Sequence, residues 1–369
     1  MSERQKACKG TEPNFGLKAL VAAVAVLLFL EASGVSFAQG LQEVTTFGSN
    51  PGNLRMFKFV PDGLSANSPL VIALHGCTQT AANYDSETGW LGIAEKSHFT
   101  LMLPQQQSAN NFNKCFNWFD TGDITRNSGE ALSIKQMIDR MKQDHAIDPE
   151  RVYITGLSAG GAMTSVMLAT YPEIFAGGAV IAGLPYKCAT SIIGAFHCMS
   201  PGRDATPTNW GTLVRNASSH QGPWPRVSIW HGTTDSTVVP MNVQELVDQW
   251  TDVHGIDQTI DVQRTVHGHA HKVYKDGNDV AQVETYLISG MNHGTPISPG
   301  TGDEQCGTAA PFILDAGICS SFHIARFWGL TDSAAEPDSH PLRVQLLEQI
   351  EDIRTKLDEL NRKIEQVNQ

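Results

Sequence analysis

From about residue 54 onward, short apolar runs alternate with longer stretches in which apolar residues recur every three to four positions. The runs at 70–74, 100–103, 152–155, 179–182, 227–230 and 283–288 are mostly near-continuous in apolar residues, as strands covered on both faces must be. The stretch 129–144 sets Ile134, Met137, Ile138 and Met141 on one helical stripe, and 159–170 and 243–253 also read as helices. Strands alternating with helices predict an α/β fold with a mostly parallel sheet covered by helices. Ligands of such sheets sit beyond the carboxyl ends of the strands, so the turns that follow the strands are where chemistry is sought.

Two segments depart from this rhythm. Between 188 and 225 the periodicity fades and Gly, Pro, Ser and Asn accumulate, which predicts a long irregular excursion acting as a lid or pocket wall. After a linker at 333–341, Leu346, Ile350, Ile353, Leu357, Leu360, Ile364 and Val367 alternate spacings of four and three, with charged residues between them. These are heptad a and d positions, so 342–369 predicts a C-terminal coiled-coil-like helix through which the chain forms homo-oligomers. The alternative is a single amphipathic helix folded back on the body; neither form resembles a polymer-binding module.

The first 38 residues belong to targeting rather than to the fold. Lys6, Lys9 and Lys18 precede the apolar run 19–30, and Ser36-Phe37-Ala38 offers small residues for cleavage, which predicts a signal peptide removed after Ala38. The run is too short for a bilayer span, which needs about 20 apolar residues. The catalytic body is thus expected at 39–332, in a secreted or periplasmic protein with no membrane association after cleavage. Removal of Cys8 leaves Cys77, Cys115, Cys188, Cys198, Cys306 and Cys319, an even number that favours disulfides in an oxidising compartment. Proximity points to Cys188 with Cys198 and Cys306 with Cys319, leaving Cys77 for Cys115, although sequence alone does not choose among the pairings. No Cys-x-x-Cys pair or His-rich knuckle supports zinc, so no metal and no cofactor are expected. The formal net charge of −12, with basic residues scattered along the chain, argues against a nucleic-acid partner.

The chemistry centres on Gly156-Leu157-Ser158-Ala159-Gly160. In a chain with 33 glycines a Gly-x-Ser-x-Gly match is weak on its own. Here the turn-like run Asp148-Pro149-Glu150-Arg151 leads into the strand at 152–155, and the serine opens the helix at 159–170, which is the strand-turn-helix context of a nucleophile elbow. A serine hydroxyl needs a base oriented by a carboxylate, and the chain supplies both in the expected order. Asp235 follows the strand at 227–230 within His231-Gly232-Thr233-Thr234-Asp235, and His293 follows the strand at 283–288 within Met291-Asn292-His293-Gly294. For the oxyanion, the backbone N–H of Ala159 is one donor, and that of Cys77, in His75-Gly76-Cys77-Thr78-Gln79 after the strand at 70–74, is the other. Gln79 and Trp118 are candidate substrate contacts, the latter by stacking. His267, His269 and His271 alternate as metal ligands do, but an exposed edge strand accounts for them better.

Together, His75 to Gln79, Gly156 to Gly161, His231 to Asp235 and Met291 to Gly294 resemble the polyhydroxybutyrate depolymerase family of esterases, over roughly residues 45–330. The stretches 312–318 and 325–330 resemble the helix that closes that catalytic domain. The resemblance implies an α/β-hydrolase that is exported and cuts the ester bonds of poly(3-hydroxybutyrate) or its oligomers through an acyl-enzyme. Feruloyl and acetylxylan esterases carry motifs close to these, so polyester and small esters both stand as substrates. A reading from another class is a non-catalytic exported binding protein on a hydrolase scaffold. Many extracellular depolymerases append a polymer-binding domain where this chain carries its heptad segment, which puts attack on crystalline polymer in doubt.

Overall fold

A computed structural model describes residues 40–331 and Lys356. The expected signal peptide, the linker and, apart from Lys356, the heptad segment lie outside the described residues. Ten strands form one sheet: β1 (Gln42–Val44), β2 (Arg55–Phe59), β3 (Ser68–Leu74), β4 (Thr100–Gln105), β5 (Ile147–Leu157), β6 (Gly177–Ile181), β7 (Arg226–Gly232), β8 (Val262–Val266), β9 (His269–Lys275) and β10 (Ala281–Ile288). Their spatial order is β1-β2-β4-β3-β5-β6-β7-β10-β9-β8. The six strands from β4 to β10 run parallel, and antiparallel pairs extend the sheet at both edges. A small parallel pair, β11 (Thr295–Ile297) with β12 (Ile313–Asp315), stands apart.

The apolar runs are continuous because both faces of the sheet are covered. Every residue of β3, β4 and β6 is buried. Along β3, Leu70, Ile72 and Leu74 pack on one face with Ile134 of α3 (Gly129–Asp144), Met163 of α4 (Ala159–Thr170) and Leu246 of α7 (Met241–His254). Val71 and Ala73 face the other way, toward α1 (Ala81–Glu87), α2 (Trp90–Ser97) and α8 (Ser320–Phe327) through Tyr84, Trp90 and Ile324. Each such aliphatic side chain stabilises the fold by about 1.5–3 kcal/mol when fully buried. On that second face Trp328 stacks on both Tyr153 and Trp90, at 4.9 and 6.0 Å between ring centroids.

Helices α3 and α4 span the residues expected of them. The run 148–151 is counted within β5, yet it still behaves as a turn. Pairing jumps from Ser68↔Ile147 to Leu70↔Val152, and the Glu150 N–H bonds the Asp148 carboxylate at 3.0 Å. Two expectations are corrected. The excursion at 188–225 is not irregular throughout, for it contains α5 (Ile192–Met199) and α6 (Pro207–Arg215), capped by Ser191 and Thr206. The apolar pattern of α5 hid it, because Ile192, Ile193 and Phe196 point to solvent rather than to a core. Nor do the alternating histidines lie on an exposed edge: β8 is the edge strand, His267 sits in the β8–β9 turn at φ 47°, and His269 and His271 are buried. Three disulfides join Cys77 to Cys115, Cys188 to Cys198 and Cys306 to Cys319, the pairing that proximity suggested.

Candidate active site

Where β5 ends, the chain reverses into α4 within one residue. Ser158 takes φ 57° and ψ −116°, a conformation costly for any residue with a side chain. The two flanking glycines make the reversal possible. A Cβ on Gly156 would lie 2.4 Å from the backbone of Gly160, and one on Gly160 would lie 2.4 Å from the Leu74 carbonyl oxygen. The Ser158 N–H is anchored to the Ile181 carbonyl of β6 at 2.9 Å. The serine therefore stands at the N-terminus of α4, whose dipole favours developing negative charge.

The turn after β7 presents Asp235. Its Oδ1 accepts from the backbone N–H groups of Thr237 and Val238, both at 2.9 Å, and its Oδ2 lies 2.7 Å from Nδ1 of His293. Nε2 of the fully buried His231 lies 3.4 Å from the same Oδ2 and 2.8 Å from the Val238 carbonyl. Burial alone would raise the Asp235 pKa, but the hydrogen bonds from His231 and His293 outweigh it and hold the carboxyl well below the usual carboxylate range. The turns that carry Asp235 and His293 are stitched together. Asn292 Oδ1 accepts from Ser236 N at 3.2 Å and from His293 N at 2.8 Å, while the Thr234 hydroxyl bonds the Met291 carbonyl at 2.9 Å.

The loop after β3 supplies a backbone donor by having its neighbours occupied. Gly76 N–H goes to Gln79 Oε1 at 2.8 Å, Thr78 N–H to the Asn113 carbonyl at 2.6 Å, and Gln79 N–H to the Gly76 carbonyl at 3.4 Å. No acceptor among the described residues takes the Cys77 N–H. The Cys77–Cys115 disulfide ties this loop to the segment after β4. His75 beneath it accepts the Gln106 N–H on Nε2 at 3.1 Å, so its proton is on Nδ1, 2.6 Å from the Gly76 carbonyl. Burial lowers its pKa to about 4, which keeps the ring neutral.

The structure joins Asp235 and His293 directly and places Ser158, Ala159 and Cys77 on turns at the same end of the parallel strands. Gln79 and Trp118 are both buried. Gln79 is spent on the Gly76 N–H and, at 3.4 Å, the Pro311 carbonyl, while Trp118 is a buried core residue packed edge-on against Phe119. Sequence reasoning quoted His231 and Asn292 within motifs without giving them work; their adjacency to Asp235 and His293 was the available signal. It also passed over Phe312, whose ring meets that of His293 edge-on at 6.2 Å.

Among the described residues, His267 alone of the alternating histidines joins a group with metal-ligand spacing, with Glu304 and His323, whose ligand atoms lie within 4.8 Å of one another. Arg326 already bonds Nδ1 of His323 at 2.9 Å and Glu304 at 3.3 Å, so a guanidinium balances that carboxylate. His271 instead bonds Glu284 at 2.8 Å, and His269 the Ala316 carbonyl at 2.9 Å.

A parallel sheet bearing a strained serine elbow, with a carboxylate–imidazole pair on neighbouring turns, defines an esterase of the α/β-hydrolase type. Residues 55–273 match the family model described as esterase PHB depolymerase, and the chain belongs to that family. It is 59% identical over 314 residues to poly(3-hydroxyalkanoate) depolymerase C of Paucimonas lemoignei, covering 85% of this chain and 75% of that protein. It is 35% identical over 267 residues to an acetylxylan esterase of Coprinopsis cinerea, covering 70% of each. Feruloyl esterase B of Talaromyces stipitatus is 32% identical over 280 residues, covering 73% of this chain and 76% of that one. Among solved structures, acetyl xylan esterase from Aspergillus awamori superposes with a TM-score of 0.67 at 25% identity, covering 79% of this chain and 100% of that one. The chain is accordingly a carboxylic ester hydrolase of the serine hydrolase type.

Proposed function

We propose that this chain is an exported depolymerase of poly(3-hydroxybutyrate) and its oligomers, with Ser158, His293 and Asp235 as its triad. The observation that carries the mechanism is the 2.7 Å contact between Asp235 Oδ2 and His293 Nδ1. With its Nδ1 proton held by the carboxylate, the imidazole keeps a lone pair on Nε2 to take the Ser158 proton. The Ser158 oxygen attacks the ester carbonyl carbon, and the N–H groups of Cys77 and Ala159 hold the oxyanion. Collapse breaks the bond to the leaving alcohol, which receives the proton from Nε2. Water, losing its proton to the same nitrogen, then attacks the acyl-enzyme, and collapse breaks the bond to Ser158, whose oxygen takes that proton back from Nε2 as the acid is released. Gln79 serves this chemistry by fixing the Gly76 end of the loop.

The polymer assignment follows the 59% identity to the Paucimonas lemoignei depolymerase. Similarity to feruloyl and acetylxylan esterases supports small esters as the second reading. Turnover of emulsified poly(3-hydroxybutyrate), set against feruloyl and acetyl esters, decides between them. A chain that Ser158-directed fluorophosphonate fails to label would be a binding protein instead. Three disulfides support export, and among the described residues no helix is long and apolar enough to cross a membrane. The heptads at 342–369 support self-association; identical sedimentation of the full chain and of one ending at Pro341 would overturn that part.

A further inference from the structure

Phe312 occupies a position that packing alone does not explain. Its backbone lies at φ 65°, a region costly for a bulky side chain, yet the residue is 44% exposed and so gains only part of what full burial would give. The backbone is pinned there from several sides. The Phe312 carbonyl accepts the Thr295 N–H at 2.8 Å, and the carbonyl of Pro311 receives Nε2 of Gln79 at 3.4 Å. Gly294 is needed opposite it, since a Cβ there would lie 2.7 Å from the Phe312 carbonyl oxygen. The outcome is an exposed aromatic ring held edge-on to His293.

Resting on the reading of Ser158 and His293 as nucleophile and base, we infer that Phe312 selects esters by their alcohol portion. In acyl transfer by such a pair, the imidazole hands its proton to the departing alcohol oxygen, so the group beside the imidazole is the leaving group, whereas the acyl chain hangs from the carbonyl carbon held over the oxyanion donors. The segment Ala309-Ala310-Pro311-Phe312 brings only apolar side chains to that place, and Ala309, Pro311 and Phe312 are all exposed. A sugar leaving group would bring several hydroxyls and find no side-chain hydrogen-bonding partner in this segment, which is a loss on transfer from water. A leaving group that is itself an alkyl-substituted hydroxyacid ester, as within a polyester chain, loses little and gains contact with the ring. Phe312 is thus a specificity determinant on the leaving-group side, favouring an apolar alcohol portion over a carbohydrate one.

The test holds the acid constant and changes the alcohol: kcat/KM for hexyl butyrate and for glucose 6-butyrate, in the wild-type chain and in Phe312→Leu, Phe312→Asn and Phe312→Gly. Asn tolerates the left-handed backbone and Gly relieves it, so neither variant depends on strain being borne. Asn and Gly should each lower the hexyl-to-glucose preference by about tenfold or more, as expected of losing one apolar contact with the substrate, while Leu keeps most of it. The preference among ethyl esters of increasing acyl length should stay at the wild-type value. Equal losses on both alcohols, a loss that tracks acyl length, or no change in either ratio would overturn the assignment. Failure of fluorophosphonate to label Ser158 in the wild-type chain would overturn the site reading itself, which separates the two.

Discussion

Replacing Asp235 by asparagine isolates what the carboxylate contributes. Four donors converge on it: the Thr237 and Val238 N–H groups on Oδ1, and the His293 and His231 imidazoles on Oδ2. An asparagine must keep its carbonyl toward the two backbone donors, because turning it would set its NH₂ against both of them. The NH₂ then faces Nδ1 of His293, which can satisfy it only by becoming an acceptor and moving its own proton to Nε2. Nε2 is the atom that should take the Ser158 proton, so the base is lost without any movement of the chain. In a serine protease triad the same exchange lowers kcat by about 10⁴, equivalent to about 5.4 kcal/mol of transition-state stabilisation at 1.36 kcal/mol per decade. The assay is kcat for p-nitrophenyl butyrate near pH 7.5 together with circular dichroism; the fold should survive and the rate should fall by three to four decades. The reasoning is refuted if Asp235→Asn retains more than about a tenth of wild-type kcat.

Three further outcomes follow from contacts described above. Ser158→Gly and Ser158→Ala should both abolish ester turnover, but only glycine relieves the φ of 57°, so Ser158→Gly should be the more stable of the two by about 1–2 kcal/mol in denaturant titration. The Cys77→Ser/Cys115→Ser double variant opens a loop with a sequence separation of 38 and should lose about 4 kcal/mol by the loop-entropy relation; kcat should drop more than KM rises, because the loop carries the proposed oxyanion donor. Glu130 is buried beneath that loop, bonded to Gln106 and Asn117, and burial first and Asp123 second raise its pKa to about 8. Since the folded carboxyl keeps its proton after the unfolded one has lost it, this group's stabilisation is full below about pH 4.5 and declines until about pH 8, at up to about 1.4 kcal/mol per pH unit. Across pH 5–8 the Tm of Glu130→Gln should therefore gain on wild type; a constant difference would show that the carboxyl titrates normally.

The parts of the fold that were legible in sequence are those where burial imposed a pattern. The β3 and β5 runs are apolar because the sheet is covered on both faces, and the elbow is readable because only glycine fits at 156 and 160. Helix α5 was illegible because its apolar residues face outward, so their spacing records no core. Asp235 and His293 could be singled out as candidate acid and base because each follows a strand end, yet the Asn292 bond that joins their turns depends on a register between β7 and β10 that no local pattern encodes. Phe312 was invisible for a related reason, since its contact with His293 arises from the return of the chain through β12 beside β11.

All twelve residues of α4 are buried. A helix without a solvent face has no route to fray on its own, so its amides should exchange with deuterium only through global unfolding. The serine at its head thus belongs to the last part of the molecule to open, whereas Asp235, His293 and Phe312 ride on turns that belong to no helix or strand. On warming, catalysis should fade while the sheet and Ser158 are still in place, and the gap between the temperature of half activity and the Tm measures how firmly those turns are tethered.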